Sequence, residues 1–164
     1  MPTIKAKLSG ESLERAIKQL KDYTQKVKKA PDQIVKAMTK QGVEIAKEEV
    51  QLFGAVTSGE LLEGIVEEYH GKKGYVHSTA PHSALVEMGS GVIGARNPNG
   101  NGTVPGGWQG YDIHNHGDAG WWYPGRDGRR HWTKGMPSRP YMYNTAQMLR
   151  RHYADIAREV MHSD

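Results

Sequence analysis

Four side chains in a glycine-rich part of the chain have the chemistry of metal ligands: His114, His116, Asp118 and His131. Imidazole and carboxylate groups bind zinc or manganese when several of them converge on one point. Their spacing matches no specific metal-site pattern, and no His-Glu-x-x-His sequence is present. A metal-dependent nuclease or hydrolase that uses His114, His116 and His131 is therefore one alternative function. The other interpretation is that these are ordinary polar loop residues.

Other catalytic patterns do not occur in the sequence. The chain has no cysteine, which excludes thiol catalysis, disulfides and zinc–thiolate sites. No nucleophile elbow, Walker-type phosphate loop or dinucleotide-binding fingerprint is present. Glu87 lies beside an apolar edge, so we interpret it as a structural ion-pair or helix-cap partner, with Arg139 or Arg96 opposite it. We predict no enzymatic activity, no metal and no cofactor.

Aromatic and basic side chains characterise residues 89–135, which hold 13 of the 20 glycines and all four tryptophans. Trp, Tyr and Arg are enriched in interface hot spots because they bury a large area and keep a polar group. The same residue types can stack on bases and contact phosphates, so a DNA-binding module is a second alternative. A small core completed by the tryptophans is a third. We predict a protein interface that includes Trp108, Trp121, Trp122, Tyr123, Arg126 and Trp132.

Hydrophobic periodicity predicts two helices at the N-terminus. The first ends near Lys29, and its apolar positions are Leu13, Ile17, Leu20 and Val27. Pro31 has a backbone angle suited to a helix start, so we expect it to open a second helix that reaches Phe53. Gly42 interrupts this second helix and indicates either close packing or a bend.

Two hairpins are predicted further along the chain. Ile65–His70 and Tyr75–Ser78 have the composition of strands, with a four-residue loop between them. Gly120–Tyr123 and Arg130–Thr133 can pair as a β-ribbon, and the alternative is that the whole aromatic segment is one extended loop.

Proline and glycine mark the ends of two further helices. Ser83–Met88 is predicted to be a short helix with Ala84, Leu85 and Met88 on its apolar edge. Gly89 and Gly91 are placed to end it, since glycine adopts the left-handed capping conformation at little cost. Pro137 and Pro140 end the aromatic segment. Pro140 lies in the first turn of a final helix that runs to Met161.

Length and element order indicate one α+β domain. A chain of 164 residues buries enough surface for independent stability. We expect a small antiparallel β-sheet packed against two or three helices, with a long Gly/Trp-rich loop or β-ribbon. The parts are N-terminal helices (1–53), hairpin and short helix (54–91), Gly/Trp-rich loop (92–136) and C-terminal helix (137–164). No apolar run is long enough to span a bilayer, so no membrane contact is expected.

The net charge of +4 is unevenly distributed. Residues 51–90 hold 2 basic against 5 acidic side chains, whereas both flanking regions are basic. A solvated mixed surface accounts for this pattern, and so does the stacking of charge-complementary faces between copies of the chain.

Four passages resemble the head–tail joining proteins of long-tailed phages, a neck or minor tail-component family. They follow the family's order along the chain: Thr57–Ile65, His82–Gly91, Trp121–Tyr123 with His131–Pro137, and Pro137–Ala146. In the first passage Gly64 stands where the family has a serine.

The resemblance implies a structural virion protein without a catalytic group. Members of this family act after DNA packaging and form rings at the portal–tail junction, around the channel through which DNA passes. The resemblance thus implies a homo-oligomeric ring and contacts with other neck, connector and tail proteins. It also implies a location at the head–tail junction of the virion, and in the host cytoplasm during assembly.

Overall fold

The computed structural model describes residues 9–55, 59–96, 120–125 and 127–162. Within these ranges the chain is an α+β protein, which confirms the predicted fold class. The helices are α1 (Gly10–Leu52), α2 (Glu60–Gly64), α3 (Ser83–Met88), α4 (Gly91–Arg96) and α5 (Tyr141–His162). The strands are β1 (Ile65–His70), β2 (Lys73–Ser78), β3 (Trp121–Pro124) and β4 (Arg130–Thr133). In the described ranges, no helix combines the length and apolar character needed to cross a bilayer.

The N-terminal region is one continuous helix, so the predicted boundary between Lys29 and Pro31 is wrong. α1 has 43 residues and contains Pro31 in its interior. An interior proline removes one backbone hydrogen bond and crowds the carbonyl four residues earlier, at a cost of about 3 kcal/mol. This cost is confined to one turn. The C-terminal half of α1 packs against the rest of the protein, so the helix continues through the proline.

The β1–β2 hairpin lies against α1, and Gly42 is where the two meet most closely. A Cβ at Gly42 would lie 2.8 Å from a methyl group of Val76 in β2 and 3.1 Å from Leu149 in α5. Of the two interpretations of Gly42, the structure therefore supports close packing: three elements approach one another at this position.

A two-residue turn joins β1 and β2, where the sequence predicted a four-residue loop. His70 pairs with Lys73, so only Gly71 and Lys72 lie outside the strand ladder. Gly71 has a φ of 61°, which glycine adopts readily and which tight hairpin turns require.

α5 runs antiparallel to the C-terminal half of α1. Near the start of α5, the Asn144 side chain donates a hydrogen bond of 2.7 Å to the Glu49 carboxylate. Further along α5, Leu149 approaches Gly42, which precedes Glu49 in α1. Because α5 has 22 residues and α1 has 43, the N-terminal half of α1 extends beyond α5.

The core lies where the end of α1 meets α2, β1, α3 and the start of α5. Tyr141, Ile65 and Val50 are its largest fully buried side chains. The other members of this buried cluster are Ala46, Leu61, Ala80 and Val86. Gly64 belongs at its edge because a Cβ there would lie 3.0 Å from the backbone nitrogen of Ala80. The residue that departs from the family's serine is thus a point of close backbone approach.

Helix α3 has the predicted bounds, but it buries a different side chain. Val86 is 4% exposed, whereas the predicted apolar edge of Ala84, Leu85 and Met88 is only partly buried. A helix of six residues is too short for its own periodicity to set its orientation. Tertiary hydrogen bonds do so instead, such as the one that the Arg139 N–H donates to the Val86 carbonyl at 2.8 Å.

The segment predicted as a loop over 92–136 contains regular structure at both ends. Its first residues belong to α4, which extends to Arg96 and which the sequence did not predict. At the other end, β3 and β4 form an antiparallel pair in which Trp121 lies opposite Thr133. The β-ribbon alternative is therefore the correct one for residues 121–133.

We expect Ile65→Ala to lower the free energy of unfolding by about 3 kcal/mol, because truncating a buried isoleucine leaves a cavity. Ile65 is 1% exposed. The matched control is Leu52→Ala, at a side chain that is 80% exposed, and it should change this free energy by less than about 0.5 kcal/mol. Chemical denaturation followed by circular dichroism measures both. Equal effects would contradict the place of Ile65 in the buried core.

Candidate functional site

The β3–β4 ribbon carries two tryptophans on one face, which we call the aromatic pair. Trp122 and Trp132 are directly opposite each other in the ladder. Their rings meet edge to face with centroids 5.5 Å apart, an arrangement that aromatic quadrupoles favour. Trp122 is 57% exposed and Trp132 48% exposed. Large apolar side chains grouped in this way at a surface mark an interaction site.

The other face of the ribbon holds it to the body of the protein. Successive strand residues point to opposite faces, so Trp121 and Tyr123 lie away from the aromatic pair. The Trp121 ring is so close to Gly91 that a Cβ there would be 2.7 Å from the ring atom Cζ3. Tyr123 instead lies beside His131, with ring centroids 5.6 Å apart. Of the predicted interface residues, Trp121 thus anchors the ribbon, Trp122 and Trp132 form the exposed aromatic pair, and Tyr123 is exposed on the opposite face.

Asp127 organises the turn of the ribbon. Its carboxylate accepts a hydrogen bond from the Arg129 N–H at 3.1 Å and hydrogen-bonds with His131 Nε2 at 2.9 Å. The bonds from His131 and Arg129 lower the pKa of Asp127. Arg129 and Arg130 are exposed beside it, so the end of the ribbon is basic.

The structure does not test the alternative metal site, because three of its four ligands lie outside the described residues. Five of the residues singled out from the sequence lie outside those ranges: Trp108, His114, His116, Asp118 and Arg126. His131, the remaining member of the proposed ligand set, is paired with Asp127. In the part of the chain that the structure describes, no three His, Asp or Glu side chains are grouped closely enough to hold a metal ion.

A contact between two distant segments attaches the ribbon to the body. Ser90 and Met136 form an antiparallel bridge with N–H···O distances of 2.9 and 3.1 Å. The Ser138 hydroxyl donates a third hydrogen bond of 2.7 Å to the Glu87 carbonyl. We call this contact between residues 86–91 and residues 134–143 the crossing.

Gly89 and Gly91 allow the two backbones at the crossing to approach each other. Gly89 has a φ of 74°, and a Cβ on it would lie 2.6 Å from the Ser138 nitrogen. Gly91 has a φ of 58°, and a Cβ on it would lie 2.6 Å from the Lys134 carbonyl oxygen. Gly89 ends α3 as predicted, but its ψ of 172° lies outside the left-handed capping conformation, and Gly91 begins α4 instead of ending α3. The close backbone approach at both glycines is a feature that sequence reasoning missed.

The Glu87 carboxylate caps the N-terminus of α5. One oxygen accepts a hydrogen bond from the Met142 N–H at 2.9 Å, and the other accepts one from the Tyr143 N–H at 3.0 Å. The first N–H groups of a helix have no acceptor within the helix, and the helix dipole favours a negative charge there. Among the described residues no ion pair joins Glu87 to Arg139, so that suggested pairing is wrong. The Arg96 side chain lies outside the described set.

The two prolines predicted as structural residues flank the crossing. Pro137 lies between Met136 and Ser138, which both bond to the opposite segment. Pro140 is buried directly before α5, one residue earlier than the predicted first turn, and its carbonyl accepts the Asn144 N–H at 3.0 Å. Both prolines therefore restrict the backbone that positions the N-terminus of α5 over Glu87.

An apolar groove of about 450 Å³ lies between α1, β2 and α5. Its apolar lining residues are Val35, Met38, Val76, Met142, Ala146 and Leu149. Its two threonines, Thr39 and Thr145, each donate their hydroxyl to a helix carbonyl at 2.7 Å, and its other polar lining residues are Lys73 and Tyr75 of β2. A substrate pocket normally has polar groups directed at the ligand. The groove is therefore better suited to receive an apolar protein surface.

No protein-family model matches the chain, and no curated protein or solved structure is significantly similar to it. The likeness to head–tail joining proteins therefore rests on the four passages of the sequence.

Gly89→Ala is expected to lower the free energy of unfolding by at least about 3 kcal/mol, because it adds a backbone clash to an unfavourable φ. The matched control is Gly71→Ala, where φ is also positive but no atom lies within 4 Å of the added Cβ. That control should cost only about 1 kcal/mol. Denaturant melts of the two variants measure the difference, and similar losses would argue against a tight crossing.

Glu87 is expected to make stability depend on pH. Burial raises the pKa of its carboxyl above the ordinary value of 4.5, and the N–H groups of Met142 and Tyr143 oppose this rise. Because the folded-state pKa is raised, Glu87 contributes most to stability below pH 4.5 and loses that contribution as pH rises through the raised pKa.

Glu87→Gln removes this titration, so it is the reference protein. The free energy of unfolding of the wild type, minus that of the variant, should fall as pH rises from below 4.5 towards neutrality. Urea denaturation of both proteins across this pH range measures the difference. A difference that increases with pH would show that the carboxylate is stabilised in its charged form instead.

Proposed function

We propose that this chain is a structural virion protein of a tailed phage or prophage that assembles as a ring at the head–tail junction. In this role it is a neck or tail-completion protein and catalyses no reaction. The observation that carries the proposal is the aromatic pair, in which Trp122 and Trp132 are held on an ordered ribbon and exposed to solvent. Preorganised aromatic side chains lose little conformational entropy on binding, which suits them to a protein interface.

The packing of the four resembling passages supports the proposal. Leu61 of the first passage, Val86 of the second and Tyr141 of the last belong to one buried cluster. The third passage joins the second through the bridge between Met136 and Ser90. Passages spread over most of the chain thus meet in one core and one crossing. The occurrence of all four passages in one chain is therefore explained by their contacts with one another.

A ring of identical copies needs two different contact surfaces on each copy. The aromatic pair is one such surface, because it projects from the ribbon. The apolar groove is a second, because it is concave and belongs to α1, β2 and α5. We therefore expect the aromatic pair of each copy to insert into the groove of the next copy. Such head-to-tail contacts close into a ring when the rotation between copies permits it.

Replacing both Trp122 and Trp132 by Ala should abolish ring assembly without unfolding the chain, because both side chains are exposed. Ala146→Glu should also abolish it, since Ala146 is an exposed residue that lines the groove. Tyr153→Ala is the matched control, because Tyr153 is an aromatic residue that is 53% exposed on α5. Native mass spectrometry of the purified proteins measures the oligomer, and circular dichroism checks folding.

A mixture of the two assembly-deficient proteins sharpens this test. The tryptophan double variant keeps an intact groove and Ala146→Glu keeps an intact aromatic pair, so the mixture should regain one head-to-tail contact between the two variants but no ring. A wild-type protein that remains monomeric even with phage neck and tail partners present would refute the ring. A tryptophan double variant that still forms the wild-type ring would remove the aromatic pair from the interface.

A further inference from the structure

The N-terminal half of α1 carries a row of apolar side chains that are exposed to solvent. Leu13, Ile17, Leu20 and Val27 are 46%, 51%, 52% and 43% exposed. This half of the helix extends beyond α5, and none of the other described elements covers the row. A helix segment of this length spans roughly 30 Å, which is long enough to form an interface of its own.

The row has the repeat of a coiled coil. When Thr24 is included, successive members are four, three, four and three residues apart. In coiled-coil notation Ile17 and Thr24 occupy a positions, whereas Leu13, Leu20 and Val27 occupy d positions. The Thr24 hydroxyl donates a hydrogen bond to the Leu20 carbonyl at 2.7 Å, so it needs no partner outside the helix. The row therefore suits packing against one further helix.

The charges beside the row indicate which helix that is. Glu14 and Lys21 occupy successive e positions, and in an antiparallel pair the e positions of the two helices face each other. With Ile17 of one copy opposite Leu20 of a second copy, Glu14 lies beside Lys21 twice, once on each side of the twofold axis. A shift by one heptad in one direction would bring Glu14 to Glu14. A shift in the other direction would pair Glu14 with Lys28, the next e position, but would add a repulsive contact of Lys21 with Lys21.

A parallel pair of the same helices has no such complementarity. In a parallel pair the e positions face g positions, and the g positions hold Ala16, Tyr23 and Ala30, none of which is charged. The basic residues Lys28 and Lys29 of both copies would also lie at the same level of the pair. Charge therefore favours the antiparallel orientation and a single register.

We propose that this row docks with the same row of a second copy of the chain, as a short antiparallel coiled coil. The contact is twofold and is complete when two copies have joined. It therefore goes beyond the proposed function and does not depend on it, since a ring is closed by head-to-tail contacts through other surfaces. The coiled coil links protomers in pairs.

Disulfide trapping tests the orientation, because the chain contains no cysteine that would interfere. Leu13→Cys and Thr24→Cys proteins with tags of different mass are mixed and oxidised. The antiparallel register places these two positions opposite each other, so the mixed disulfide should predominate on a non-reducing gel. Arg15→Cys mixed with Asp22→Cys is the control, because the same register brings these two positions to the same level, but on the outer face of the helices.

The trapping experiment has two results that overturn the proposal. A predominant disulfide between two Leu13→Cys chains would show that the helices are parallel. Trapping no stronger than in the outer-face control would show that the row does not bind a second copy. A third result would also overturn the proposal: a Leu13→Cys thiol that is protected from alkylation only when other neck proteins are added. It would show that the row binds one of those proteins.

Charge exchange tests the register. The measurement is made with Trp122 and Trp132 both replaced by Ala, so that any ring contact through the aromatic pair is absent. Lys21→Glu should raise the dimer dissociation constant by roughly tenfold, because two attractive pairs become repulsive. Combining it with Glu14→Lys should restore the wild-type constant to within about threefold. Analytical ultracentrifugation measures these constants.

Lys18→Glu is the matched control, because Lys18 lies on the same helix but away from the row. It should change the constant by less than about twofold. A double exchange that fails to restore dimerisation, or a Lys18→Glu effect as large as that of Lys21→Glu, would overturn the proposed register. The tryptophan double variant lacks the aromatic pair, so its dimer dissociation constant reports on the coiled coil alone. Failure of the ring and failure of the coiled coil can therefore be distinguished.

Discussion

The architecture depends on one carboxylate, that of Glu87, which binds the first N–H groups of α5. Taking a charged group out of water is costly, and two hydrogen bonds to otherwise unsatisfied donors offset part of that cost. The bond fixes where α5 begins. Tyr141 can then enter the core and Asn144 can reach Glu49 on α1. The same contact aligns α3 with α5. This alignment holds the two segments of the crossing together, and the crossing in turn holds the ribbon.

The tryptophans of the ribbon have two different structural roles. Strand alternation directs Trp121 towards the glycine at residue 91 and leaves Trp122 on the other side, opposite Trp132. An aromatic-rich stretch is thus partly an anchor and partly an exposed surface. Trp121 packs against the body of the protein, whereas Trp122 and Trp132 are exposed, as the predicted interface requires. The two exposed rings are also in contact with each other on a paired ribbon, which lowers the entropic cost of using them in a contact.

Local patterns predicted the elements whose signals are local. Ser83–Met88, the first hairpin, the ribbon strands and the final helix follow from periodicity, turn residues and flanking prolines. The features that were missed depend on contacts between distant residues. Pro31 was interpreted as a helix start because packing of the C-terminal half of α1 is invisible in the sequence. A helix-cap role for Glu87 was one of the two predicted roles, but which helix it caps was not predicted, because its partners are backbone N–H groups, which every residue has.

The separation of Glu87 from its partners has a consequence for the order of folding. Glu87 and Met142 are 55 residues apart, and Asn144 and Glu49 are 95 apart, whereas the first hairpin and α1 are built from local contacts. Contacts between distant residues form slowly, because the loop entropy is lost before they stabilise the chain. We therefore expect α1 and its hairpin to form first and α5 to dock last. A newly synthesised chain would expose α1 and its hairpin to solvent until the residues of α5 have been synthesised.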